Sequence, residues 1–261
     1  MLKISNFEVM GWEHAVRGMR NPKNSWHLSD SSFKAVAEID ILEDGVVKKM
    51  PVYYDALNIG PNDHKLMMQL RNGGTDDRKF MRMIVVYLDI NAPFYWWKEY
   101  DTYKVGTVAN SCSTMHKLTA KEFEMDDFSH EHLIGSEYDP DELYFDDDYD
   151  EYWSAKDVLS QNIRLLNFYR NKYLEALKKP MKEEVKRAGL VKRYWWQMIQ
   201  LLGTNYNQKR TLMLNYEVLA NIYKSRRHHK LDEWHTLCDW IEELPYSELI
   251  TGVEHEVEVT E

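Results

Sequence analysis

A change of hydrophobic period near Ser154 limits this chain's fold more than any other feature. Beyond it Leu159, Ile163, Leu166, Tyr169, Tyr173 and Leu177 recur at steps of three or four, which makes one apolar face of a long helix. "SAKD" at 154–157 is a capping-box variant, with Ser154 as cap and Asp157 three residues on, and Pro180 supplies the stop. A second helix is expected over "KEEVKRAGLVKRYWWQMIQLL". After "GTNYNQ" the same period returns in "RTLMLNYEVLANIYKSRRHHKLDEWHTLCDWIEEL", with a helix from about 211 to 227 and a later stripe of Trp234, Leu237, Ile241 and Leu244.

Upstream the pattern is shorter. "KAVAEIDIL" and "VKKMPVYYDAL" read as strands, with turns at Asp44-Gly45 and Gly60-Pro61. "NDHKLMMQL" reads as a short helix capped by Asn62 or Asp63, with Leu66, Met67 and Leu70 on one face and "NGG" as its stop. "RKFMRMIVVYLDINAPFYWW" is expected to be a buried strand with a break at Asn91–Pro93. Strands followed by segregated helices, with no phosphate-loop or dinucleotide glycine pattern, give the α+β class.

The 261 residues are read as a single α+β domain over 1–261, with a variable N-terminal part at 1–60 and an acidic insertion at about 122–153. From Glu122 to Glu151 there are fourteen acidic residues and no Lys or Arg. The remainder holds 29 acidic against 33 basic residues, so a net charge of −10 hides a body that can accept an anionic small molecule. No basic helix tracks a phosphate backbone, which argues against extended nucleic acid as a partner. Two cysteines give no disulfide framework, and no apolar run has signal-peptide or membrane-spanning length. A soluble cytoplasmic protein with no membrane partner is the expectation.

Several polar residues stand out against this background. Asn215, Leu219, Ile222 and Arg226 share a helix face, and Arg226 at its end can present a planar fork to phosphate or carboxylate; the same position also suits charge compensation of a helix C-terminus. His228, His229 and His235 have no ligand spacing such as HExxH, and the acidic segment lacks the glycine of a calcium loop, so no metal is expected. Cys112, between Ser111 and Ser113 with His116 nearby, is read as a buried inert thiol, and Cys238 as packed.

Two of these segments together resemble the flavin-dependent thymidylate synthases, whose signature has the form RHRxxSxNExSxR and whose later helix has the form NxRxLxNFxxxR. "NYEVLANIYKSR" carries Asn215, Leu219, Asn221 and Arg226 at the second spacing, with Glu217 in place of the middle arginine. Ser113 falls on the last signature serine, Asn110 on its asparagine, Ser111 on its glutamate and Met115 on its final arginine. With a one-residue insertion Thr102, Tyr103 and Lys104 fall on RHR, Thr107 on the first serine and Glu99 on a preceding glutamine. "GGTDDRKF" stands where the family has GHxSxxEH.

The resemblance covers roughly 66–115 and 191–234. It implies an antiparallel sheet packed with long helices, a homotetramer, and conversion of dUMP to dTMP or of a related pyrimidine nucleotide. FAD is the implied cofactor, with NADPH and methylenetetrahydrofolate as cosubstrates. It implies catalytic roles for Ser113 and Arg226. Substrate contacts fall on Glu99, Lys104, Asn110, Ser111, Ser113 and Arg226, and cofactor contacts on Thr75, Arg78, Tyr103, Lys104, Asn215 and Asn221. The alternative is a nucleotide- or flavin-binding homologue without synthase activity, for which Met115 and the missing histidines speak.

Overall fold

The structure, a computed structural model, describes residues 2–43, 46–113, 117–179 and 184–252. Eight strands are described: β1 Lys3–Met10, β2 Ser32–Glu43, β3 Val46–Asn58, β4 Val85–Pro93, β5 Val108–Ser111, β6 Tyr144–Asp146, β7 Glu151–Trp153 and β8 Asn207–Asn215. The described helices are α1 Trp12–Arg20, α2 Pro61–Asn72, α3 Phe94–Tyr100, α4 Ala155–Leu177, α5 Glu184–Leu201, α6 Tyr216–Arg226, α7 Asp232–Glu242 and α8 Glu248–Thr251. One sheet has the order β1-β4-β8-β5; β2 with β3 and β6 with β7 form two separate antiparallel ribbons. The α+β class expected from the sequence is the class observed. No described helix is long and apolar enough to cross a membrane.

The chain has two compact units, each discontinuous in sequence. The first comprises Met1–Ile4, Ile90–Thr102 and Asn110–Thr211; the second comprises Ser5–Asp89, Tyr103–Ala109 and Leu212–Glu261.

In the first unit the expected capping box forms. Ser154 accepts from the Asp157 amide, Asp157 accepts from the Ser154 amide, and α4 runs on from there. Its stripe is buried at Leu159, Ile163 and Leu166, which join Leu118, Phe123, Phe128 and Met198 in one core, with Tyr169 and Tyr173 packed against it. Phe123 and Phe128 belong to the acidic segment, so that segment begins inside the core and not as a solvated insertion throughout. Asn167 reinforces the anchoring, donating to the Phe123 carbonyl and accepting from its amide at 2.9 and 2.8 Å. Further on, β6 and β7 pair with Phe145 against Tyr152, ring centroids 4.8 Å apart.

Three sequence expectations change. "PFYWW" does not continue the strand: Pro93 caps α3, Trp96 and Trp97 are buried, and the Phe94 and Tyr95 amides bond to the Tyr206 and Thr204 carbonyls. The strand ends at the break expected at Asn91–Pro93, where Pro93 fixes φ for entry into a helix. The helix expected from about 211 starts only at Tyr216, because Gln208, Leu212 and Leu214 are buried in strand alternation and Asn215 caps the helix that follows. In the second unit, α2 begins at Pro61, and its orphan amides at Asn62 and Asp63 bond to the side chain of Asp30, 32 and 33 residues upstream. Asp63 is thereby released from capping. It is fully buried and accepts from Arg20 at 2.6 Å, from the Ser29 and Ser31 hydroxyls, and from the Asp30 and Ser31 amides.

The β2–β3 ribbon follows the expected strands, and its Asp44-Gly45 turn lies outside the described residues. Met115, His116 and Pro180 also lie outside them.

Candidate functional site

In the second unit the loop Tyr103–Thr107 is a closed turn, with the Thr107 hydroxyl donating to the Tyr103 carbonyl. It is fastened to both ends of α6. At the start, Asn215 accepts from the Val218 amide as helix cap and donates to the Gly106 carbonyl at 3.5 Å. Gly106 has φ +77°, and a Cβ there would lie 3.0 Å from Asn215 Nδ2 and 3.2 Å from a Val218 methyl, so any other residue is strained and crowded at this approach. At the far end, Arg226 Nε donates to the Tyr103 hydroxyl at 3.0 Å. Its guanidinium carbon lies 4.7 Å from the centroid of the Trp234 ring and 5.7 Å from that of Tyr103. His229 packs edge-on to Trp234 at 6.2 Å. Arg226 is therefore oriented by a phenol and two aromatic faces, which fixes the direction of its planar fork.

Next to this loop and helix, still within the second unit, Glu217 in the first turn of α6 forms a two-point ion pair with Arg82, whose Nη2 also reaches the Thr75 carbonyl. The bond to Glu217 raises the Arg82 pKa above its ordinary value. Arg78 donates to the Gly73 carbonyl at 3.3 Å, while its buried Nε has no hydrogen-bond partner. Arg71 is held by the Leu249 and Ile250 carbonyls; burial, and then the charge of Arg78, lower its pKa. Thr75, Lys104 and Asn221 are exposed.

In the first unit Ser113, half-buried, lines a cavity of about 250 Å³ with Cys112, Lys117, Lys121, Asp127 and Lys209 among its other walls. Lys121 bonds to Asp127 at 2.7 Å, and this bond raises its pKa. Cys112 is exposed, not the buried thiol expected, because its strand ends there: its backbone bonds to the Lys209 carbonyl and the Gln208 side chain, and the thiol is left toward solvent. Cys238 is buried as expected, and burial pushes its thiol up to about 11. Glu99 is half-buried in α3, and Asn110 and Ser111 are exposed on β5.

The structure thus joins Tyr103, Asn215 and Arg226 in one place and sets Ser113 at a cavity in the other unit. Lys117, Lys209 and Trp234 were missed as site residues. Trp234 reads as core from its helical stripe, and the two lysines are 92 positions apart with no motif to link them. Among the described residues no group of three or more His, Cys, Asp and Glu side chains is arranged to hold a metal ion.

No protein-family model matches the sequence, and no curated protein is significantly similar to it. Solved structures do match. Thymidylate synthase X from Helicobacter pylori, with FAD and dUMP, superposes with a TM-score of 0.56 at 15% identity, covering 97% of this chain and 98% of that chain. A second structure of the flavin-dependent thymidylate synthase from Helicobacter pylori, complexed with FAD and dUMP, gives a TM-score of 0.52 at 16% identity over 96% and 98% of the two chains. This chain has the flavin-dependent thymidylate synthase fold. Within that fold the loop at 103–107 and helix α6 carry the two segments that the sequence resemblance singled out.

Proposed function

We propose that this chain is a nucleotide-binding enzyme of the flavin-dependent thymidylate synthase type, methylating a deoxyuridylate with methylenetetrahydrofolate and NADPH. One observation carries the reading. The Tyr103–Thr107 loop and α6, more than 100 residues apart in sequence, are fastened together at Gly106–Asn215 and Tyr103–Arg226, and these are the segments that resemble the family's two motifs.

In this reading Arg226 presents its fork to the nucleotide's base or phosphate, held in direction by Tyr103 and Trp234. Lys104 adds a cation from the same loop. Within the first unit, Ser113, with Asn110 and Ser111 on β5 and Glu99 on α3, is a separate set of hydroxyl, amide and carboxylate groups that the resemblance offers to a substrate. FAD, when bound, would supply the redox capacity, so no protein nucleophile is required. The chain's residues fit such a group at Arg78, whose buried Nε lacks an acceptor that an anionic cofactor group provides. Thr75, Tyr103 and Asn221 complete the cofactor set. Asn215 contributes by holding the loop, since its amide is engaged at both ends. A cytoplasmic homotetramer is part of the proposal, and the exposed Val158, Leu165 and Phe168 on α4 with Trp196 on α5 supply apolar surface for assembly.

Glu217 favours a second reading, a nucleotide- or flavin-binding relative without synthase activity. A carboxylate there ties up Arg82, a cation that a cofactor phosphate otherwise has within reach. Turnover decides between them: purified protein given FAD, NADPH, methylenetetrahydrofolate and dUMP forms dTMP under the first reading. Nucleotide or flavin binding without methyl transfer to any deoxyuridylate supports the second, and neither binding nor transfer removes both.

A further inference from the structure

Within the second unit, the end of β1, the first turn of α1 and the base of the β2–β3 ribbon enclose a cavity of about 410 Å³. That volume is within the range usual for small-molecule sites, about 300–1,000 Å³. No residue of the two motif segments lines it.

Position 11 leaves this end of α1 open. The first bond of the helix runs from the Ala15 amide to the Gly11 carbonyl at 2.9 Å, so the amides of Trp12, Glu13 and His14 have no partner inside it. A Ser or Asp at the cap would satisfy one of them. Gly11 has no side chain to do so, and no side chain caps the helix. Its φ is +92°, and a Cβ there would lie 2.0 Å from the Met83 carbonyl oxygen, so a capping residue would be strained and crowded. Trp12 also lines the cavity; it is 6% exposed, and its buried indole Nε1 has no hydrogen-bond partner. The ring is held by Tyr216 and Tyr246, with centroids 5.2 and 5.4 Å away. A buried donor on a cavity wall is satisfied by whatever fills that cavity.

These donors, with the positive end of the α1 dipole, favour an anionic oxygen. The rim decides which anion. Glu8 and Glu13 stand there against Lys34, a formal charge of −1, and among the described residues none of the three is ion-paired. Such a rim repels a phosphate dianion and accepts a carboxylate that brings an ammonium with it. The remaining wall is apolar, with Val9, Met10, Phe33, Ala56 and Leu57, and of these Met10 and Leu57 are exposed until something covers them.

We infer that this cavity binds a free α-amino acid with an apolar side chain. The carboxylate accepts from the first-turn amides of α1 and from Trp12 Nε1, the ammonium donates to Glu8 and Glu13, and the side chain packs on Met10, Phe33 and Leu57. A ligand so placed touches α1 and the ribbon base together, and fastens one to the other. The inference rests on the cavity and not on the nucleotide reading.

Isothermal titration calorimetry of the full chain with L-leucine and L-phenylalanine tests it. N-acetyl-L-leucine, which lacks the ammonium, and L-leucinamide, which lacks the carboxylate, are titrated beside them. Wild type is compared with Trp12→Phe and with the double variant Glu8→Gln, Glu13→Gln, after circular dichroism of each. Both glutamates are exposed, so their replacement leaves the core intact. Both amino acids should bind wild type saturably, and either blocked form should bind roughly tenfold more weakly, having lost one charge-assisted contact. The glutamate variant should bind L-leucine roughly tenfold more weakly, and N-acetyl-L-leucine no worse than wild type does. Trp12→Phe keeps an aromatic ring, loses the N–H and should lose several-fold in L-leucine affinity; if it does not fold, the glutamate variant decides. No saturable binding of either amino acid at millimolar concentration overturns the inference. Equal affinity of wild type for L-leucine and N-acetyl-L-leucine does the same, as does an L-leucine affinity unchanged in the glutamate variant. None of these outcomes bears on the nucleotide reading.

Discussion

Arg20 in the second unit is almost fully buried and bonded to Asp63, Ser25 and the Ser25 carbonyl, whereas Lys117 in the first is exposed at a cavity bordered by two further lysines. The contrast extends to their neighbours. Arg82 is paired with Glu217, Arg227 with Asp239 and Glu242, and Arg226 lies against Trp234 and Tyr103. The arginines of the second unit hold loops and helix ends in place, and the aromatic clamp fixes the direction of Arg226. In the first unit Lys117 borders a cavity, beside a Lys121 that is bonded to Asp127. What already surrounds a charge thus separates a cation that holds the fold, such as Arg20, from one that faces solvent, such as Lys117.

The sharpest way to break this distinction is Asp63→Ala. It leaves Arg20 buried without its carboxylate, and removal of one partner of a buried pair costs about 3–5 kcal/mol; chemical denaturation should show that loss. A change below about 1 kcal/mol would mean that Arg20 is not held as described. The same pair gives a pH signature. Burial raises the Asp63 pKa, but hydrogen bonds from Ser29, Ser31 and Arg20 with the charge of Arg20 outweigh it, and the folded value lies below the ordinary one. A depressed carboxyl contributes stability that is present above its unfolded pKa of about 3.9 and is lost as pH falls through the folded value. Stability should therefore drop more steeply below about pH 4 in wild type than in Asp63→Asn.

Gly106→Ala comes next. A left-handed backbone costs a residue with a Cβ about 1–2 kcal/mol, and here the Cβ also meets Asn215 and Val218. The loop should move off α6, and ligand affinity should fall more than stability if the clamp on Arg226 matters. Ser154→Ala removes one half of the α4 capping box and should cost about 1 kcal/mol in thermal or denaturant unfolding, with no change in nucleotide binding. Smallest in stability is Lys117→Met. Its unfolding midpoint should match wild type to within about 0.5 kcal/mol, as for an exposed surface substitution. A large loss of stability would place Lys117 with the structural cations.

What the sequence made legible follows the range of the interactions involved. The α4 cap at Ser154–Asp157 and the Leu159, Ile163, Leu166 stripe are local, spanning one to three turns, and both stand as read. The Trp234, Leu237, Ile241 and Leu244 stripe is likewise buried. The helix start expected at about 211 failed because the apolar residues of 211–215 fit a helix and a strand period equally until neighbouring strands decide. Asp63 failed as a cap because Asp30 reaches the α2 amides from 32 residues away. In the candidate site, Asn215 and Arg226 were readable from their spacing on one segment. The link of Arg226 to Tyr103 spans 123 residues, and the lysines of the cavity are set by where β8 and the 117–121 turn meet, which no short pattern records.

The central claim is that this fold binds a flavin together with a deoxyuridylate. The visible absorption spectrum of the purified chain, titrated with FAD in the presence and absence of dUMP, tests it directly. The account predicts saturable uptake of FAD and a further change in the flavin bands when dUMP is added. A spectrum that shows neither FAD uptake nor any response to dUMP would contradict it.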